Sequence, residues 1–229
     1  MIELIAFDAD DTLWPNESYF FQSQKEYARL MSVYGSKEEI LERLHNTQMK
    51  NLGKYGYGIK AYTLSMIDNA LEISSNNLSG EITAQILELG TAMITKPVTP
   101  LENVALVLER LSKSHQLITI TKGDLLDQNR KMERSGLQKY FSEVIVVSEK
   151  DNDTYQEILD QRNVTAEKFL MVGNSMKSDI LPVLNIGGYG AYVPFEFTWQ
   201  HERVNEPVKH EKLFELKEMQ ELLNLKFFN

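Results

Sequence analysis

Three acids fall within four residues near the start of the chain, in Phe7-Asp8-Ala9-Asp10-Asp11-Thr12-Leu13-Trp14. Carboxylates at that density repel one another and lose hydration when buried. A fold tolerates that cost where a cation or a reacting phosphate uses the charge. The run Leu4 to Phe7 before them is apolar and reads as a buried strand. In extended backbone Asp8 and Asp10 point to the same side and Asp11 points away, so Asp11 is the member least suited to chemistry. Thr12 returns to the Asp8 side, where its hydroxyl can fix a carboxylate. An EF-hand calcium loop needs glycine at its sixth position and a helix before it; this loop has Leu13 there and a strand before it.

Other candidates recur at intervals. Leu117–Thr121 reads as a strand ending in Thr121, Lys122, Gly123 and Asp124. Val144–Val147 is a strand followed by Ser148, Glu149 and Lys150. Phe169–Val172 is a strand followed by Gly173-Asn174-Ser175 and then Asp179. A fifth strand is expected at 190–193, and helical patterns separate the strands at 104–112, 125–135, 154–162 and 178–185. Strands alternating with helices imply a parallel sheet with right-handed crossovers. Ligands of open α/β sheets sit at the carboxyl ends of the strands, where Asp8, Asp10, Thr121, Lys150, Asn174 and Asp179 would all fall.

The series Asp-x-Asp-x-Thr, then strand plus Thr, then Lys, then Gly-Asn-Ser-x-x-x-Asp resembles the four motifs of the haloacid dehalogenase-like hydrolase superfamily. The resemblance implies a Rossmann-like, doubly wound α/β core with an all-helical cap inserted between the first and second motifs, and Mg²⁺ as cofactor. By that resemblance Asp8 is the nucleophile, forming an aspartyl-phosphate. Asp10 is the acid and then the base, and Thr12 orients it. Thr121, with the amides of Lys122 and Gly123, holds phosphoryl oxygens, and Lys150 offsets their charge. Asp8, the Asp10 carbonyl and Asp179 hold the metal. Asp10 favours phosphate esters, since displacing halide from carbon needs no acid. Many members carry Asp where this chain has Asn174, which can bond a metal-bound water but adds no charge. Direct metal contact is therefore expected of Asp179, with weaker Mg²⁺ affinity.

The 229 residues carry a net charge of −9. That balance argues against a nucleic-acid surface, which needs clustered Lys and Arg, yet allows one phosphorylated small molecule. With no cysteine, disulfides, thiolate catalysis and cysteine zinc sites are excluded. Neither a signal peptide nor a membrane-length apolar run is visible, so a cytoplasmic protein is expected. The domain expectation is a catalytic core of residues 1–14 and 97–229 with a helical cap at 15–96, bounded by Pro97-Val98-Thr99-Pro100. Ser36 with Glu39 has the form of a capping box. Asn51 to Lys60 reads as a glycine-rich loop, and its Lys54 and Tyr57 are the substrate-contact candidates. The four histidines lie outside every motif. The segment Trp199 to Glu202 reads as a surface turn. The function expected is Mg²⁺-dependent hydrolysis of a small phosphorylated metabolite. A phosphomutase shares every core residue, and a catalytically inactive binding protein is the alternative of another class. Nothing in the sequence fixes the oligomeric state.

Overall fold

The structure is a computed structural model, described here for residues 2–197, 199–204 and 206–228. The chain divides into two compact units: residues 1–17, 98–122 and 128–229 form one, and 18–97 with 123–127 form the other.

The first unit is built on a six-stranded sheet: β1 (Leu4–Phe7), β2 (Gln116–Lys122), β3 (Glu143–Val147), β4 (Phe169–Gly173), β5 (Tyr189–Tyr192) and β6 (Leu213–Glu215). The spatial order is β3-β2-β1-β4-β5-β6 and every pairing is parallel. β1 is buried on both faces, which is why its sequence is continuously apolar rather than alternating. Alternate residues serve opposite faces. Ile5 and Phe7 pack with α5 (Val104–Leu111) and with Met132 of α6 (Leu125–Ser135). Leu4 and Ala6 pack with Tyr155, Ile158 and Leu159 of α7 (Asn152–Asp160) and Val183 of α8 (Leu181–Asn185). Each fully buried side chain of this size contributes about 1.5–3 kcal/mol, so two faces of such residues hold the strand ends that carry the chemistry. The strand order reverses between β1 and β4, the place where doubly wound sheets leave a crevice.

β6 was not among the expected strands. It has three residues, too few for periodicity to reveal, and it is recruited through pairing with β5. Residues 178–185 form a single expected helix in the sequence. Instead, Met176–Ile180 makes a π-turn before the short α8.

The second unit holds α1 (Glu17–Leu30), whose first residue belongs to the other unit, then α2 (Lys37–Tyr55), α3 (Ile59–Ile73) and α4 (Gly80–Thr95). Its core is its own: Tyr27, Met31, Ile40, Leu44, Tyr62, Met66 and Ile86. The Ser36–Glu39 capping box is present in both directions. The expected loop at 51–60 is mostly helix. Asn51 is buried and donates to Ser65 and Asp68, which carries α2 through Gly53 to Tyr55. Only Gly56 to Gly58 turns, with φ of 69° and 101° at the two glycines, values that glycine alone adopts without strain.

Candidate active site

The two carboxylates that flank the crevice share one ammonium. Lys150, buried after β3, donates from Nζ to Asp8 Oδ1 at 2.5 Å and to Asp179 Oδ1 at 2.7 Å. Burial alone would depress Lys150, but Asp179 and Asp8 outweigh it and hold its pKa above the usual lysine value. One positive charge is divided between two carboxylates, so Asp8 is under-compensated. Burial, helped by Asp179 and Asp10, pushes its pKa up to about 7 against the opposing pull of Lys150.

Thr12 Oγ1 lies 3.1 Å from Asp8 Oδ2 and accepts from the Asn174 backbone N–H. It was expected to orient Asp10. It bonds Asp8 and Asn174 instead, because the tight turn at Ala9–Leu13 brings it back over Asp8. With its carboxamide nitrogen turned toward the acceptors around it, Asn174 donates to Asp8 Oδ2 at 3.2 Å, the Asp10 carbonyl at 3.2 Å and Thr12 Oγ1 at 3.0 Å. Asn174 thus reaches both Asp8 and the Asp10 carbonyl, while Asp179 accepts from Lys150 and from the Ser175 N–H.

Asp179 depends on the glycine before Asn174. A Cβ on Gly173 would lie 2.2 Å from Asp179 Oδ2, so only glycine lets that carboxylate fold back across the strand end. There Oδ2 accepts from the Ser175 N–H at 2.9 Å. The π-turn that carries Asp179 is fixed at Ser178, whose carbonyl accepts from the buried Tyr155 hydroxyl at 3.1 Å. Such turns recur at functional sites because they reset the direction of the next side chains.

Asp10 sits in a second network. Its carboxylate accepts from Trp14 Nε1 at 2.8 Å, Gln128 Nε2 at 2.9 Å and Lys131 Nζ at 2.9 and 3.0 Å. Gln128 also donates to Thr121 Oγ1 at 3.0 Å and to the Lys122 carbonyl at 2.7 Å. The ends of β1 and β2 are thereby joined through one carboxamide, whose Oε1 is buried with no hydrogen-bond partner among the described residues. Asp11 adopts a left-handed φ of 65° and accepts from the Asn16 and Glu17 N–H groups at the start of α1. It is a local cap, in line with its outward placement in the sequence. Burial pushes Asp11 up to about 7, and burial with Asp11 and Asp10 pushes Glu17 up to about 8.

The Lys122 side chain, expected only for its amide, bonds Glu202 at 2.7 Å and Ser178 at 3.0 Å. Thus Trp199–Glu202 is no idle turn. In the helical unit Lys54 is exposed on the last turn of α2, Tyr57 is half-buried between its two glycines, and Lys60 pairs with Asp124 at 2.8 Å. Gly123, just before Asp124, has φ of 132°. Gln128, Lys131 and Glu202 went unnoticed in the sequence. The first two are one turn apart on α6, a spacing any solvated helix face shows, and Glu202 belongs to no motif.

The set fits a hard divalent cation. Among the described residues no three His, Cys, Asp or Glu side chains are arranged to hold a metal. Magnesium asks for less: one or two carboxylates, other oxygens and several waters. The inward atom of the Asn174 carboxamide lies 3.2 Å from both Asp8 Oδ2 and the Asp10 carbonyl; with the carboxamide oxygen rather than the nitrogen turned inward, as a cation would require, three oxygens converge there.

Residues 2–187 match the family model "haloacid dehalogenase-like hydrolase". The chain belongs to that family. A haloacid dehalogenase-like family hydrolase from Xanthomonas campestris is 35% identical, covers 96% of this chain and 88% of its own, and superposes with a TM-score of 0.85. The glyceraldehyde 3-phosphate phosphatase of Methanothermobacter thermautotrophicus is 27% identical over 86% of this chain and 88% of its own. The rat N-acylneuraminate-9-phosphatase is 25% identical over 81% and 79%. The enzyme is a hydrolase of this family, and no helix among the described residues is long and apolar enough to cross a membrane.

Proposed function

We propose that this hydrolase is a phosphatase acting on a small phosphorylated metabolite, with Asp8 as nucleophile and Mg²⁺ as cofactor. The observation that carries the reading is the placement of Asp8, with Lys150 on one carboxylate oxygen, Thr12 on the other and Asp10 on the same turn. Two of the three relatives named above are phosphatases, which supports phosphoric monoesters as the substrate class. A bound Mg²⁺ would be held by Asp8, the Asp10 carbonyl and Asn174, with Asp179 beside them, and would neutralise phosphoryl charge.

The remaining chemistry belongs to side chains. Lys150 keeps Asp8 aligned and offsets the incoming phosphate. A carboxylate oxygen of Asp8 attacks phosphorus in line, giving an aspartyl-phosphate as the alcohol departs. Asp10 supplies the departing oxygen with a proton and then takes one from the water that cleaves the aspartyl-phosphate. Thr121 with the Lys122 and Gly123 amides binds the phosphoryl oxygens. Residues 1–14 and 97–229 serve as the catalytic core and the helical segment 15–96 as the substrate-selecting cap, with Lys54 and Tyr57 as its substrate contacts. The site is cytoplasmic and requires neither nucleic acid nor membrane.

The test is hydrolysis of p-nitrophenyl phosphate, then of a panel of phosphorylated metabolites, with Mg²⁺ and with EDTA. Free inorganic phosphate as product is expected. Return of the phosphoryl group to a sugar would identify a mutase, and full activity in EDTA would remove the metal.

A further inference from the structure

Glu202 lies 80 residues beyond Lys122 in the chain, on the one-turn segment Gln200–Glu202. Its carboxylate is nearly buried, with 13% of the side chain exposed. Oε1 accepts from Lys122 Nζ at 2.7 Å, and Oε2 accepts from the Ser175 and Ser178 hydroxyls, both at 2.5 Å. Three donors from two different strand ends thus converge on one carboxylate. Burial opposes ionisation here, but Lys122 and the two serine hydroxyls overcome it and pull the pKa down to about 2.

The contacts form a continuous line into the site. Ser175 Oγ donates to Glu202 and accepts from the Ser178 N–H at 3.0 Å, closing the π-turn. The Ser175 N–H donates to Asp179 Oδ2, and Asp179 Oδ1 takes Lys150, which takes Asp8. Asn174, beside Ser175, reaches both Asp8 Oδ2 and the Asp10 carbonyl at 3.2 Å. A carboxylate with only one hydroxyl to hold would be an ordinary surface tether. One that holds both serines of the turn, and the lysine that follows Thr121, sets the spacing between the phosphoryl-binding and metal-binding strand ends.

We infer that Glu202 is a positioning residue for the metal site, clamping the Ser175–Asp179 turn to Lys122 so that Asn174 and Asp179 are pre-set for a divalent cation. The inference rests on the phosphatase reading above. Residues that orient metal ligands typically change metal affinity or activity 10–100-fold when removed.

The test is calorimetric titration of the full chain with Mg²⁺ alone, together with steady-state kinetics on p-nitrophenyl phosphate. Wild type is compared with Glu202→Gln, Glu202→Ala and, as a control at an exposed glutamate earlier in the chain, Glu196→Gln. In both Glu202 variants the Mg²⁺ dissociation constant is expected to rise about tenfold or more and kcat to fall about tenfold, with KM for the ester within about twofold. Glu202→Gln is nearly isosteric and keeps an acceptor for the serines, so it serves as the folded comparison should the alanine variant melt early. Unchanged Mg²⁺ affinity in Glu202→Gln overturns the inference whatever the rate does, as does a rise in KM at constant kcat. Failure of the underlying reading looks different: the wild type itself would then show no Mg²⁺-dependent ester hydrolysis.

Discussion

At the scale of single residues, the strongest expectation concerns Asp8. Its folded pKa of about 7 lies above the ordinary aspartate value of about 3.9. Between those values the folded chain keeps a proton that the unfolded chain releases, so stability falls as pH rises through that window and stays reduced above it. Asp8→Asn, which needs no proton, should raise the metal-free stability at pH 8 by on the order of 2 kcal/mol and change it little at pH 4. The same change should cut turnover by about a thousandfold or more, as loss of a nucleophile does. Melting curves in EDTA at both pH values, with assays of the same samples, check both halves. Asn174→Asp adds a carboxylate where Asp8 and the Asp10 carbonyl converge. It should tighten Mg²⁺ several-fold and lower the metal-free melting temperature, readable by calorimetry and by melts with and without the ion. The positions of Asp8 and Lys150 were legible because each follows closely on an apolar run, β1 or β3, and that of Thr121 because it falls at the end of another, β2. Gln128 and Lys131 were not, since their shared partner Asp10 lies 118 and 121 residues away and nothing local marks that pairing.

At the scale of elements, β4 and the turn after it decide whether Asp179 can face Lys150. Gly173→Ala would place a methyl group 2.2 Å from Asp179 Oδ2. It should cost about 1–3 kcal/mol in denaturant unfolding, the usual range for overpacking, and displace the carboxylate as well. Activity should therefore fall by more than the stability loss explains. Tyr155→Phe removes only the bond to the Ser178 carbonyl and should cost about 1 kcal/mol. The alternation of strands and helices was legible because β1 and β4 are unbroken apolar runs and the Ser36–Glu39 pair carries its own signature. The end of α2 was not. Glycine and tyrosine read locally as a loop, whereas the buried bonds of Asn51 to Ser65 and Asp68 come from a different helix. The π-turn was hidden for a similar reason, since one of the bonds that hold it comes from the side chain of Tyr155 on α7.

At the scale of the whole molecule, each unit has its own apolar core. Leu44 is buried in the helical unit alone. Leu44→Ala should lower that unit's stability by about 2–5 kcal/mol, and hydrogen exchange should accelerate across α2, α3 and α4 while β1 and β4 keep their protection. Uniform acceleration would mean that the two units unfold as one.

The family match ends at residue 187, yet the chain after it pairs β5 and β6 into the sheet and buries Leu216, Met219 and Leu222 against the β1 face. A shortened clone trimmed at that boundary would leave an open sheet edge, strip an apolar face and remove the counter-charge of Lys122. Such a fragment should be recovered as aggregate, and its silence in an assay would say nothing about the residues it retains.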